Sequence, residues 1–203
     1  MVRAEQVEDY IIVGLDIARY SEKTIEEQRE AQSDLDRMLH EAVKVCRKPN
    51  SGHVRWLDAG DGGYALLRWN ERDVLDVVEQ LYKRVDRANH RAKEDRQLSV
   101  RTAIHLGQLI CWDGSFGPKY AGDAINSCAR LLAGMNREHD GQVVCSGEFY
   151  KKISTFQPTA NTLRLKDVKD KHGRIHEIYN LTRDPGFGVH PSPRERHPDF
   201  TRR

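Results

Sequence analysis

Two aspartates sit where backbone and charge invite chemistry. Asp16 stops a continuous run with a β-branched centre, Tyr10-Ile11-Ile12-Val13-Gly14-Leu15, and Asp61 lies in the glycine-rich reversal of WLDAGDGGYALLRW, from Trp56 to Trp69. The run reads as a central strand covered on both faces, and an acid at its end stands at a cleft. Glycines around one acid between two strand-like runs read as a hairpin turn that lifts Asp61 to the rim of a sheet. If the two strands are neighbours, the carboxylates emerge at one edge and repel each other unless something cationic sits between them. Two divalent metal ions, Mg²⁺ or Mn²⁺, meet that need, because they take one or two carboxylates and accept phosphate oxygens for the rest. Such ions, about 3.5 to 4 Å apart, activate an attacking oxygen and neutralise a leaving group. The same acids also suit plain roles, Asp16 starting a loop and Asp61 filling a turn, and spacing alone leaves both readings open.

A second constellation lies in Gly122-Asp123-Ala124-Ile125-Asn126-Ser127-Cys128-Ala129-Arg130. On a helix, Asn126 and Arg130 are four apart and share one face, while Ile125, Cys128, Ala129 and Leu132 cover the other. Asn is a mediocre helix former, so its place in the first turns asks for a reason. Capping is one reason. Gripping an anionic transition state, with the guanidinium on a phosphoryl oxygen and the amide orienting a ribose, is another.

These residues need a scaffold, and 203 residues suffice for one substantial core. The order reads β, α, β-β, α, β-β. The first helix is capped by Thr24 with Glu27 and carries Leu35, Met38, Leu39, Ala42, Val43 and Cys46 at helical spacing; the second runs from roughly Glu71 to Ala88. Leu98 to Ile104 alternates as a strand, Leu106-Gly107-Gln108 reads as a tight link to a further strand ending at Trp112, and Asp113 to Tyr120 reads as a loop. A helix over about 122–135, a short strand over 142–145, helical turns over 148–153 and a closing hairpin of 163–165 with 175–181 follow. The pattern predicts an α/β (α+β) domain over residues 1–182: a ferredoxin-like, split βαβ sheet with its helices on one face. Residues 183–203, rich in proline and charge with almost no apolar content, read as a flexible C-terminal tail.

Composition narrows the partners. With 33 basic against 31 acidic residues the net charge is +2, too small for a nucleic-acid surface. The longest apolar run is far short of a membrane span, and the N-terminus lacks the regions of a signal peptide, so a cytoplasmic protein without membrane contact is expected. Cys46, Cys111, Cys128 and Cys145 never form C-x-x-C and read as reduced residues, neither a disulfide frame nor a zinc site.

Four stretches, in order, resemble class III nucleotide cyclases, the adenylate and guanylate cyclase catalytic domains. IIVGLDIARYS is similar to their first metal-binding strand, DAGDGGYALL to the second metal-binding hairpin, RTAIHLGQLI to the strand pair after it, and GDAINSCARLL to the G-x-x-[IV]-N-x-x-x-R helix. LKDVKDKHGRIHEIYNL looks like their closing hairpin, so the resemblance covers roughly Tyr10 to Leu181. It implies a homodimer with active sites shared across the interface, metals from one subunit and the Asn/Arg pair from the other. Asp16, Asp61 and the Ile17 carbonyl would hold two metals, Asn126 would orient the ribose, and Arg130 would stabilise charge on the α-phosphate of a nucleoside triphosphate. Amides of Ala18, Arg19, Tyr20 and Ser21 would receive the terminal phosphates. Lys166 stands where the family often has a triphosphate-binding lysine.

Two positions depart from the pattern. Four residues before the second metal acid, adenylate cyclases commonly have Lys and guanylate cyclases Glu; here it is Leu57. Seven before the helix Asn, where Asp, Thr or Cys is usual, it is Lys119. Leu offers no hydrogen bond to tell adenine from guanine. A short cyclase domain without purine selectors resembles the pyrimidine cyclases of bacterial antiphage defence, whose cyclic UMP or cyclic CMP switches on a separate effector. The expected reaction is UTP to 3′,5′-cyclic UMP and pyrophosphate. The alternatives are a cytidylate cyclase, a purine cyclase with an atypical pocket, and an inactive nucleotide-binding module.

Overall fold

The structure, a computed structural model, describes residues 6–49, 51–93, 96–156, 162–165, 167–169 and 175–181. The elements are β1 (Gln6–Ile17), α1 (Ile25–Cys46), β2 (Arg55–Asp58), β3 (Gly62–Leu67), α2 (Glu71–Asn89), β4 (Val100–Gly114), β5 (Gly117–Ala121), α3 (Asp123–Ala133), β6 (Val143–Ser146), α4 (Gly147–Ile153), β7 (Thr162–Arg164), β8 (Val168–Lys169), β9 (Ile175–His176) and β10 (Ile178–Leu181). The main sheet runs β2-β3-β1-β4-β6-β10-β7, antiparallel except for the parallel β4–β6 pair, with β5 on β4; β8 and β9 pair separately.

β1 is central and buried on both faces, as its continuous apolar text requires. Ile11, Val13, Leu15 and Ile17 face the layer of α1, α2 and α4, whereas Tyr10 and Ile12 face α3. Each fully buried aliphatic side chain contributes about 1.5–3 kcal/mol. The helices therefore lie on both faces of the sheet, not on one. Alternation puts Tyr10, Ile12, Leu66 and Leu109 on the second face, and α3 covers them with Ala124, Cys128 and Leu131. Close contact is possible because Gly14 has no side chain: a Cβ there would stand 2.8 Å from Leu132 Cδ1 and 2.9 Å from Cys128 Sγ.

The caps match their sequence signals. Thr24 Oγ1 accepts from Glu27 N–H at 3.3 Å while the Glu27 carboxylate accepts from Thr24 N–H at 2.7 Å, which starts α1. Asn70 accepts from Asp73 N–H at 2.8 Å and starts α2. Tyr82 of α2 is buried, and its hydroxyl donates to the Val100 carbonyl at 2.9 Å and lies 2.8 Å from Thr102 Oγ1. That anchor fixes the β4 residues on either side of Arg101.

Two expectations for the middle of the chain are corrected. The predicted link at 106–108 is uninterrupted strand, since β1 begins early enough to pair Tyr10 with Gly107. Gly107 instead admits α3, where a Cβ would come within 2.8 Å of Ala124. The predicted loop from Asp113 to Tyr120 is largely a hairpin, with Trp112 opposite Lys119 and Cys111 opposite Tyr120. Lys166 and the 183–203 tail lie outside the described residues. Among the described residues, no helix is long and apolar enough to cross a membrane.

Candidate active site

The two acids meet through the sheet. Asp16 is paired with Gly62 of β3, and the next amide, Ile17 N–H, donates to the Asp61 carbonyl at 2.8 Å. The strand end and the hairpin turn are thereby tied by main chain. The turn does not depend on the Asp61 side chain: Ala59 N–H donates to the Gly62 carbonyl at 3.0 Å, Asp58 Oδ1 accepts from Gly60 N–H at 2.8 Å, and the Gln32 amide of α1 donates to the Gly60 carbonyl. Among the described residues the exposed Asp61 carboxylate makes no hydrogen bond or ion pair. Asp58 has the turn role that Asp61 would otherwise be given.

Asp16 and Asp61 line one cavity of about 360 Å³ with Arg101, Tyr64 and, from the end of α3 and just beyond, Leu132, Ala133 and Met135. Arg101 is directly opposite Asp16 in the β1–β4 ladder; its Nε donates to Asp16 Oδ2 at 2.7 Å, its Nη2 pairs with the same oxygen, and its Nη1 donates to the Met135 carbonyl at 3.3 Å. Asp140 stands 4.0 Å from the Arg101 Nε. Burial pushes the Asp16 carboxyl above its ordinary range, the Arg101 guanidinium pulls it back, and the charges of Asp61 and Asp140 push it up again. Burial, followed by Cys128, Asp61 and Asp16, also raises the Tyr64 phenol, which is neutral at pH 7.

Asn126 is exposed on α3, and Arg130, one turn on, is half-buried with Nη1 3.4 Å from Asp123 Oδ1. They share a face as their spacing predicts, yet neither lines the cavity that holds the acids. The bend after β1 puts Arg19 in the left-handed region at φ 60° before a 3₁₀ turn over Tyr20–Glu22. Ala18 leaves the predicted anion-binding group, because its N–H donates to the Ser99 carbonyl at 2.9 Å and the residue is buried. The amides of Arg19, Tyr20 and Ser21 have no main-chain acceptor among the described residues. Leu57 is half-buried opposite Tyr64, on the α3 side of the sheet. Lys119 is exposed on the β4–β5 hairpin and does not line the cavity.

Arg101 and Tyr64 are the residues that sequence reasoning passed over. The signal for Arg101 was a basic residue inside an alternating apolar strand, between Val100 and Thr102. The donor set suits hard divalent cations only in part: two carboxylates and a backbone carbonyl are oxygen ligands, and among the described residues no group of three or more His, Cys, Asp or Glu could hold a metal ion. A divalent ion there would need further oxygens, of the kind that water and phosphates supply.

No protein-family model matches the sequence, and no curated protein matches it. Solved structures do match. A bacterial light-regulated adenylyl cyclase superposes with a TM-score of 0.69 at 16% identity over 86% of this chain, which spans 52% of that longer chain. The guanylyl cyclase Cya2 gives 0.70 at 13% identity, covering 87% of this chain and 92% of its own. The guanylate cyclase domain of RhGC from Catenaria anguillulae, solved in complex with GTP, gives 0.65 at 15% identity over 87% and 98%. The chain has the fold of a class III nucleotide cyclase catalytic domain.

Proposed function

We propose that this protein is a nucleotide cyclase that works as a homodimer and converts UTP to 3′,5′-cyclic UMP and pyrophosphate. The observation that carries the reading is the division of its polar groups. Asp16 and Asp61 share one cavity, tied by the Ile17–Asp61 hydrogen bond, while Asn126 and Arg130 stand outside it on α3. A second copy is needed to bring an Asn/Arg pair to the acids, and two-fold symmetry would complete two sites at once. Two divalent ions, Mn²⁺ or Mg²⁺, held by Asp16, Asp61 and the Ile17 carbonyl, supply Lewis acidity for the attacking hydroxyl and charge neutralisation for the triphosphate.

The chain's own residues do the positioning. Arg101, the cation already at the cavity, pairs with phosphate oxygens in place of Asp16, and the amides of Arg19, Tyr20 and Ser21 receive the terminal phosphates. The partner's Asn126 orients the ribose, and the partner's Arg130 meets the charge that builds on the α-phosphate. The 3′-hydroxyl gives up its proton to solvent and its oxygen forms a bond to the α-phosphorus as the bond to pyrophosphate breaks, with catalysis supplied by alignment and electrostatics. Lys166 and Lys119 are assigned to the triphosphate and the base.

UTP is preferred because Leu57 offers a purine edge no hydrogen bond and packs with apolar neighbours. The product would be a second messenger in antiphage defence, acting on a separate effector. Purified protein incubated with each of the four nucleoside triphosphates, in Mn²⁺ and in Mg²⁺, tests all of this. Cyclic UMP from UTP is the expected result, and cyclic CMP from CTP would move the choice within the pyrimidines. Product from ATP or GTP alone would overturn the pyrimidine assignment, and no product from any would leave a nucleotide-binding module.

A further inference from the structure

We infer that Tyr64 is a further residue that reads the base of the bound nucleotide, beside Lys119, through its phenolic hydroxyl. The inference rests on the proposal that the cavity takes a nucleotide, and it concerns a position that none of the sequence motifs singles out.

The cavity has two kinds of wall. Asp16, Asp61 and Arg101 make one charged; Leu132, Ala133 and Met135 make the other apolar, with Tyr64 bringing a ring and a hydroxyl. A ligand that fits has an anionic end and a flat end with a polar edge, which describes a nucleoside phosphate. Tyr64 is held in place from below: a Cβ on Gly14 would stand 3.3 Å from its Cδ1, so the ring rests against the bare strand. Its hydroxyl is not engaged as those of the two core tyrosines are. The Tyr82 hydroxyl is bonded to Val100 and placed against Thr102, and the Tyr10 hydroxyl reaches Glu8 at 3.4 Å. Tyr64, half-buried, has no hydrogen-bond partner among the described residues. A phenol that lines the cavity without a protein partner is available to a ligand there.

Its neighbour across the strand pair is Leu57. Leu57 gives the base nothing to bond, and Tyr64, directly opposite, presents a group that both donates and accepts. Held neutral beside two carboxylates, the phenol can donate to a carbonyl of a pyrimidine ring or accept from an exocyclic amine, so it can serve uracil or cytosine with one rotation of its hydrogen.

Two measurements on Tyr64→Phe test this. The first is equilibrium binding, with Mn²⁺, of the four 3′-deoxynucleoside triphosphates, which cannot cyclise because the attacking hydroxyl is missing. The second is turnover of the four ordinary nucleotides. The expected result is about tenfold weaker binding of the preferred nucleotide, little change for the others and hence a flattened preference, with an unchanged urea midpoint. Equal loss for all four would assign the hydroxyl to ribose or phosphate and overturn the inference. So would retention of the wild-type preference, or wild-type protein that binds none of them. Wild-type protein that binds with a preference which Tyr64→Phe flattens, yet turns over nothing, would overturn the cyclase reading and leave this inference standing.

Discussion

Arg101 and Asp16 face each other across the β1–β4 ladder, and the Arg101 Nε donates to Asp16 Oδ2 at 2.7 Å. The pair neutralises the half-buried acid from within the chain. Burial raises the Asp16 carboxyl, and Arg101 opposes that rise. A carboxyl whose folded value lies above its unfolded one favours the fold fully below the unfolded value, and that contribution is lost as pH rises through the folded value. Arg101→Gln removes the opposing charge and moves the folded value up further. The acid side of the activity profile should therefore shift to higher pH, with maximal turnover reduced about tenfold or more. A pH series of Mn²⁺-dependent turnover measures both, and an acid limb that stays in place would refute the coupling.

Asp61→Ala should lower turnover about 100-fold or more, as loss of an electrostatic catalytic group does. The fold should be unaffected within about 0.5 kcal/mol, because the turn is held by Asp58, Ala59 and the Asp61 carbonyl, not by its carboxylate. Turnover and a urea titration on the same preparation separate the two effects. Undiminished activity would remove the metal assignment.

Mixing Asp16→Ala with Arg130→Ala protein should restore activity. Random exchange makes half of the dimers mixed, each with one intact composite site, so recovery should approach roughly a quarter of wild type. No recovery after subunit exchange has been demonstrated by mass would argue against a shared site.

Gly14→Ala should cost about 1–3 kcal/mol of stability, since the added methyl enters space held by Cys128 Sγ and Leu132 Cδ1. Cys128→Ala in the same chain should return part of it. Denaturant midpoints of the three variants give the comparison, and a neutral Gly14→Ala would mean that α3 sits less closely on β1 than the structure describes.

The local text was enough for the acids, their strand end and turn, the caps at Thr24 and the Asn126/Arg130 face, because each depends on residues close in sequence. What escaped it depends on pairing between distant strands. Arg101 is 85 residues from Asp16, and only the β1–β4 register makes them partners. Tyr64 belongs to the cavity through Gly14 and α3, a layer whose side of the sheet the helical periodicity does not specify. Gly107 reads as a link in the local text, since a glycine between strand-like runs looks alike whether the chain turns or a helix comes close.

One reading frame along β1 decides both core and chemistry. Asp16 has the parity of Tyr10 and Ile12, and Ile17 that of Ile11 and Val13. A slip of one residue would drive Asp16 into the layer of α1 and α2 and turn apolar side chains the wrong way, a cost no marginally stable domain sustains. A misregistered molecule that is folded but lacks its acids is therefore not a stable species. The fraction of a preparation that is folded and the fraction carrying an intact acid pair are therefore the same number.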